Sequence, residues 1–391
     1  MTGSHDTEAC MPITTLLPTV TAQFLGALRA QSLLTRAVNR DNDPAPAMRG
    51  DTINLRLPVS LAPVAVTAGA APVAPQAADT TPVTLTLNQW FERSMGLTDK
   101  EVGDIEAGNM PQQVNQMAVD LVEFINADGY TLMKNRAGMS FNGTPANLPY
   151  ATDDAFYRGA LGQLDIARAP RAGRFAIHNP TAYWGGLALA NIAQADRRGD
   201  GSNPLVTGEA GPFLGTPFLG DQLIPTQTTG AVGAGAMTVN GAFAIDVSTI
   251  SIAKAAGAAY AAVAGDSISI AGHARNYVVL TAVSVAAAAN TTVVLAGGLE
   301  RAAVGGEVIT LVGAGATYNQ SLLFHRDAVM FCSRPLEDMN GIGETYTLQD
   351  PQTGLSIRGE LTRQHKQVRL AFDCLWGWQV VRPLHVAKIL G

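Results

Sequence analysis

The sequence predicts an α+β chain in which an N-terminal arm, an extended β-hairpin and a long helix precede an α/β body that carries an inserted all-β domain. Three observations predict it. Two short alternating runs flank a 25-residue, almost uncharged segment, residues 58–82. A stripe of apolar residues at helical spacing begins near Asn109. From Gly230 to Ala316 only seven charges occur in 87 residues, after an abrupt change of composition near Thr229.

The elements follow in order. Residues 11–48 combine an amphipathic stretch (Phe24, Leu25, Leu28, Leu33, Leu34, Val38) with a polar, Pro-rich exit, and read as an arm. Ile53, Leu55 and Leu57 alternate with Asn54 and Arg56, and Val83, Leu85 and Leu87 alternate with Thr84, Thr86 and Asn88, the period of two expected of a hairpin's legs. The Ala/Pro/Val-rich loop between them has one charge, Asp79. A loop so long is uncommon in a compact domain, and one so apolar is better suited to lying on a neighbouring subunit than to water.

For the long helix, Asn109 can cap, Pro111 fits the first turn, and Val114, Met117, Ala118, Leu121, Val122 and Ile125 recur as a core face. Gln112, Gln113, Asn115, Gln116, Asp120, Glu123 and Asn126 form its polar face. Further helices are expected at Thr152 to Leu164, capped by Asp153, and at Pro180 to Ala195, capped by Asn179. Residues 197–209 read as a loop, and 212–225 as short strands with turns.

Within the inserted block, β-branched runs lie at residues 243–252, 267–270, 277–285, 291–295 and 308–312, the pattern of a small sandwich or barrel. Gly230 to Gly235 and Gly313 to Gly315 bracket it and read as hinges. Strands resume at 322–331, and the closing stretch is strand-rich at 355–358, 367–375 and 378–381.

Composition narrows the function. Charged residues are 15% of the chain, against about 25% in an average soluble domain. So little charge implies that much of the surface is covered by something else, other copies of the chain included. A net charge of −6 argues against tight nucleic-acid binding, which needs clustered Lys and Arg. No apolar run approaches the 18 residues of a membrane span, and Asp6 and Glu8 stand where a signal peptide would be basic, so a secreted or membrane fate is disfavoured. Cys10, Cys332 and Cys374 form no paired motif and read as reduced, buried thiols.

The search for chemistry is negative. His325-Arg326-Asp327 imitates a kinase catalytic loop, but Cys332 stands where that motif needs Asn, and no phosphate loop accompanies it. No nucleophile elbow, zinc-protease motif or dinucleotide fingerprint is present, and the six His are scattered singly. Asp153-Asp154 and Glu337-Asp338 are adjacent carboxylates that point apart, suited to a helix start and a loop. Arg-Gly-Asp occurs at 49–51 and 198–200, a tripeptide common by chance. Phe372, Trp376 and Trp378 alternate on one strand face as core or interface. The expectation is a non-enzyme with no catalytic, cofactor-binding or metal-ligating residues.

Several segments resemble, in wording and order, the coat proteins of tailed bacteriophages of the phage P-22 type, members of the Hong Kong 97 capsid fold. Gly50-Asp51-Thr52-Ile53-Asn54-Leu55-Arg56-Leu57-Pro58 is similar to the entry into that family's extended loop, and Pro82-Val83-Thr84-Leu85-Thr86-Leu87-Asn88 to its exit. Leu97-Thr98-Asp99-Lys100-Glu101 resembles the following turn, and the helix from about Asn109 the spine helix. Leu223-Ile224-Pro225-Thr226-Gln227-Thr228-Thr229-Gly230 resembles the lead into the inserted domain, and residues 264–272 a strand pair inside it. Leu323-Phe324-His325-Arg326-Asp327-Ala328, Arg334-Pro335-Leu336, residues 354–358, Asp373-Cys374-Leu375-Trp376-Gly377-Trp378 and Arg382-Pro383-Leu384 continue the match to the end.

The resemblance implies an arm (1–50), an extended loop (51–92), a peripheral domain with spine helix (93–150) and a first axial part (151–229). It further implies an inserted β-domain (230–316), and a remainder (317–391) that completes the axial domain and returns strands to the peripheral one. It implies a major capsid protein that self-assembles into pentamers and hexamers of an icosahedral shell around double-stranded DNA. Partners would be other copies, a scaffolding protein and portal during assembly, a decoration protein, and the packaged DNA by weak proximity, with no membrane. The location would be the virion, and the host cytoplasm during assembly. An encapsulin-like compartment is the alternative within this architecture, and a β-rich tail or adhesin component a lesser one.

Overall fold

The computed structural model describes residues 13–41, 45–57, 61, 63–66, 68, 82–106, 112–143, 154–194, 207–233, 235–257, 259–337, 344–364 and 367–391. Most of the hairpin tip, the Asn109 cap with Pro111, Asp153, Asp338, Cys10 and the second Arg-Gly-Asp lie outside the described residues. The chain forms two compact units. One comprises Met1–Thr21, Asn42–Gly108 and Cys332–Gln379; the other comprises Ala22–Asp41, Asn109–Phe331 and Val380–Gly391. The segment 93–150 is therefore divided, with the long helix in the second unit.

In the first unit, the strand Gln367–Val380 is the spine of an antiparallel sheet. Ser356–Gln364 pairs along one side of it, with Glu344–Gln349 beyond, and Gln89–Leu97 pairs along the other, from Val368↔Leu97 to Trp376↔Gln89. The sequence predicts two strands here, broken near Gly377. The strand is continuous, because Gly377 serves a close approach and not a turn: a Cβ there would lie 2.5 Å from the Thr86 carbonyl. Phe372, Trp376 and Trp378 are buried, and so are the residues between them, so both faces of this strand are covered. Asp373, also buried, is held by Arg358 at 2.7 Å and by the Trp90 indole N–H at 3.0 Å.

The expected arm contains a helix, Ile13–Gln31. Its stripe starts earlier than Phe24, since Leu17, Val20 and Thr21 are buried and continue into Phe24, Leu25 and Leu28 at helical spacing. In the first unit Leu17 and Val20 line a small cavity with Leu97, Ile105, Leu361 and Leu370, and Thr21 sits where a Cβ on Gly359 would approach to 2.6 Å.

The second unit has a six-stranded sheet in the order Met139–Asn142, Val386–Leu390, Gln320–His325, Arg174–His178, Thr216–Gly220, Pro212–Phe213. Gln320–His325, which follows the inserted block, pairs antiparallel with Arg174–His178, which precedes it. The helix Ala155–Ile166 covers this sheet through Tyr157, Ala160 and Leu164, with Ala176, Leu323, Ala387 and Ile389 beneath. It starts later than expected. Asp154, at the N-cap position, makes no side-chain cap bond and pairs with Arg158 at 2.8 Å. Asn179 does cap its helix, accepting from the Thr181 amide at 2.9 Å. That helix stops at Leu187 and a short turn, Ala190–Ala193, follows, where the sequence predicts one helix to Ala195.

The long helix runs Gln112–Arg136 and buries Val114, Ala118, Leu121, Val122 and Ile125 as expected. Asn126, assigned to the polar face, is fully buried. It lies four residues from Val122 and three from Gly129, and so falls on the core stripe despite its amide.

Residues 237–311 build an antiparallel sheet in the order Tyr277–Val278, Ser267–Ile270, Val308–Leu311, Met237–Val239, Thr249–Lys254, Asn290–Val294. The two edge strands meet: Leu280 N donates to Val294 O and Ala296 N to Val278 O, both at 2.8 Å. The sheet is thus closed into a barrel, which leaves no free edge. Its interior is continuous, including Val239, Ile250, Ile252, Tyr260, Ile268, Tyr277, Val293 and Ile309. The run expected at 243–252 begins its strand at Thr249, the run at 277–285 splits in two, and Met237–Val239 and Tyr260–Ala262 went unforeseen. With its own core and paired edges, the fragment 230–316 is expected to fold alone. Dispersed amide resonances in a proton–nitrogen NMR spectrum check this, and a random-coil spectrum counts against it.

Candidate assembly surfaces and the barrel's neck

The residues that imitate chemistry are spent on structure. His325 Nδ1 accepts from the Asp327 amide at 3.2 Å and Nε2 lies 3.0 Å from Ala172 O, so the triplet closes a 3-10 turn, Arg326–Ala328. The Glu337 carbonyl accepts from Arg358 at 2.9 Å, as a loop residue would. Cys332 and Cys374 are buried thiols outside any disulfide, and burial pushes the Cys374 thiol up to about 12, which keeps it unreactive at neutral pH. No group of three metal-ligating side chains occurs among the described residues.

The first Arg-Gly-Asp builds the root of the hairpin. Asp51 accepts from the Met48 amide at 2.8 Å, Gly50 N donates to Leu87 O and Leu87 N to Asp51 O, and Gly50 takes φ +99°, which only glycine adopts readily. From this root Thr52–Arg56 and Pro82–Thr86 pair in register, Thr52↔Thr86 through Arg56↔Pro82, and with no other strand among the described residues. Their outer positions are exposed, and Ile53, Leu55 and Val83 are only half-buried. A lone two-stranded ladder is marginal in water and needs a further surface to rest on.

Other large apolar side chains are exposed outside the hairpin legs. In the first unit these are Trp90 and Phe91; in the second they are Ile166 (72% exposed), Trp184 (63%) and Leu214 on the body, and Ile245, Val304 and Val308 on the barrel. Scattered single residues are ordinary, but large apolar groups on the hairpin, the sheet's edge strand, the body and the barrel fit a chain covered on several sides. A groove of about 400 Å3 across the first unit's sheet is lined by Ser94, Met95, Glu360, Thr362 and Arg369 among others, with neither His nor Cys among its described residues.

The barrel's neck is a two-stranded stem, Gln227–Thr228 with Thr317–Tyr318. The glycines expected to be hinges are fixed here. Gly230 N donates to the Asp266 carboxylate at 3.2 Å, and Gly230 O accepts from Gly315 N at 3.0 Å. Asp266 also accepts from Gln227 Nε2 (3.1 Å), Tyr260 OH (3.2 Å) and Val263 N (2.9 Å). Burial first, and then the Asp266 charge, raise the Tyr260 phenol well above its ordinary value. No local pattern in the sequence signals this hub, because its donors come from separate stretches of chain.

Electrostatics in the body make its stability pH-dependent. His178 is buried and stacked on Phe218, ring centroids 3.8 Å apart, and burial pushes its pKa down to about 3. Unfolded histidine titrates near 6.5, so between about pH 6.5 and 3 the unfolded chain takes up a proton that the fold refuses, and stability falls with pH. Going from about pH 7 to 4.5 is expected to cost about 2 kcal/mol through this residue. The urea midpoint should fall accordingly, and less steeply in His178→Gln.

The fold of the chain is one found among solved phage capsid structures. No family model matches the chain, and no curated protein matches it. Among solved structures, the capsid of the cyanophage P-SCSP1u is similar with a TM-score of 0.50 at 13% identity, over 92% of this chain and 87% of that one. A structure from Mycobacterium phage Che8 aligns with a TM-score of 0.48 at 16% identity, over 92% and 91% of the two chains. The capsid of Ralstonia phage GP4 aligns with a TM-score of 0.45 at 10% identity, over 90% and 86%.

Proposed function

We propose that this chain is the major capsid protein of a tailed phage, a subunit that assembles with its own copies into pentamers and hexamers of an icosahedral shell around double-stranded DNA. The observation that carries this reading is the hairpin, whose legs pair among the described residues only with each other and leave Ile53, Leu55 and Val83 half-buried, while Leu85 is buried. A closed shell requires each subunit to use several different surfaces, since repeated heterologous contacts must close and not grow as fibres. The hairpin, the edge strand Gln89–Leu97, the body and the barrel offer such surfaces, and reaching across neighbours makes modest contacts mutually reinforcing.

Several finer readings go with it. The chain is a structural protein and not an enzyme, a reading supported by the structural use made of His325, Asp327, Glu337 and the first Arg-Gly-Asp. Residues 51–92 act as the extended loop, and 230–316 as an inserted domain of the phage P-22 kind, a relation the closed barrel favours. Scaffolding protein and portal take part in assembly in the host cytoplasm, and a decoration protein binds the finished virion. The net charge of −6 suits a lining that holds packed DNA weakly. Sedimentation of the expressed chain, alone and with its scaffolding protein, tests the reading. Particles of megadalton mass are expected; a chain that stays monomeric under every such condition contradicts it.

A further inference from the structure

The barrel rests on the body through a buried, charge-unbalanced joint. Lys388 belongs to the body strand Val386–Leu390, its side chain is fully buried, and its Nζ donates to the Gly265 carbonyl. Gly265 precedes Asp266, the carboxylate that already holds Gly230, Gln227, Tyr260 and Val263 at the neck. Lys134, half-buried on the long helix, acts on the same carboxylate, so two amines face one acid; Asp266 and Lys134 are the charged groups that bear on Lys388.

The chain is closely packed around Gly265 in this joint. A Cβ on Gly265, at φ +89°, would meet Asn135 Oδ1 at 2.8 Å and Gln227 Oε1 at 2.9 Å. Close contact continues beside it, where Ser267 Oγ lies 2.8 Å from Ser140 Oγ, Ser140 N donates to Asn276 O at 3.2 Å, and a Cβ on Gly297 would come within 2.9 Å of Gly138 O.

We propose that Lys388 is a proton-operated release for the barrel: as a neutral amine it packs in the joint and donates to Gly265, and taking up a proton there drives the joint to open. A buried ammonium loses its hydration, and Asp266, which accepts from four other donors and also attracts Lys134, does not replace it. Burial and the Lys134 charge lower the Lys388 pKa to about 7 against the partial pull of Asp266, whereas in an opened joint the amine returns to about 10.4. Between those values the closed joint binds fewer protons than the open one. Opening therefore becomes up to about tenfold easier for each unit of falling pH, and levels off below about pH 7.

Millisecond-pulse hydrogen exchange on the full chain, corrected for intrinsic exchange rates, reads this directly at amides 262–268 and 386–390. The opening constant is expected to rise about tenfold from pH 9 to 8 and to level off below about pH 7. Lys388→Met should abolish that slope. Lys134→Met, which removes a repelling charge and leaves the buried amine in place, should move the plateau to higher pH, and it serves as a second reading where Lys388→Met fails to fold. A flat profile in the natural chain, a slope that survives in Lys388→Met, or the same slope in the strands Val308–Leu311 and Arg174–His178 would overturn the proposal.

Discussion

Deleting residues 63–80 should leave a folded chain that no longer closes into shells. The hairpin legs end at Arg56 and begin again at Pro82, and their ladder is fixed at the root by Gly50, Asp51 and Leu87. Removing the tip therefore leaves the sheet of the first unit and its packing intact, since Leu85 and Leu87 lie on the retained side. The deleted stretch is almost uncharged, with Asp79 alone, and a loop of such length inside a domain is usually functional. Circular dichroism and a urea midpoint within about 1 kcal/mol of the parent would report the fold, because loop length enters stability only logarithmically. Normal shells from the deleted chain would remove the hairpin from the account of assembly.

The largest effect of a single residue is expected at Gly230. A Cβ there would lie inside the van der Waals envelope of the Ala261 carbonyl and 3.0 Å from Asp266 Oδ2. Neither neighbour yields easily: Ala261 is in the ladder Tyr260–Ala262 with Val283–Val285, and Asp266 is held by four partners. Gly230→Ala is expected to lower stability by about 3 kcal/mol, at the upper end for overpacking, and to disrupt the stem before either core. Gly162→Ala is the control. It lies in the helix Ala155–Ile166 with open space around its Cβ position, and should be neutral or gain up to about 1 kcal/mol. Urea denaturation of both variants measures the difference.

Local pattern made the contact elements legible and left the joints obscure. Thr52–Arg56, Pro82–Thr86 and Ser267–Ile270 were readable because apolar residues at every second position put one face of a strand against a core and leave the opposite face polar. Met237–Val239 and Tyr260–Ala262 were not, since three residues among Ala and Gly carry no period, and their pairing partners lie far along the chain. Asn126 and Gly377 misled for the same reason: residue type argued for a solvent face and a break, while long-range packing fixed the one in a core and the other beneath a carbonyl. The neck is the extreme case. No local pattern singles out Asp266, Lys134 or Lys388, which topology alone brings together from the barrel's turn, the long helix and the final strand. Nothing in the order of residues 313–315 or 230–235 distinguishes a pinned glycine from a hinge.

Electron microscopy of the purified full chain, expressed alone and with its scaffolding protein, tests the shell reading most directly. Closed particles of uniform size, with clusters of five and six subunits resolved on their surface, are the expected result. Monomers, open fibres or irregular aggregates in both preparations would contradict it.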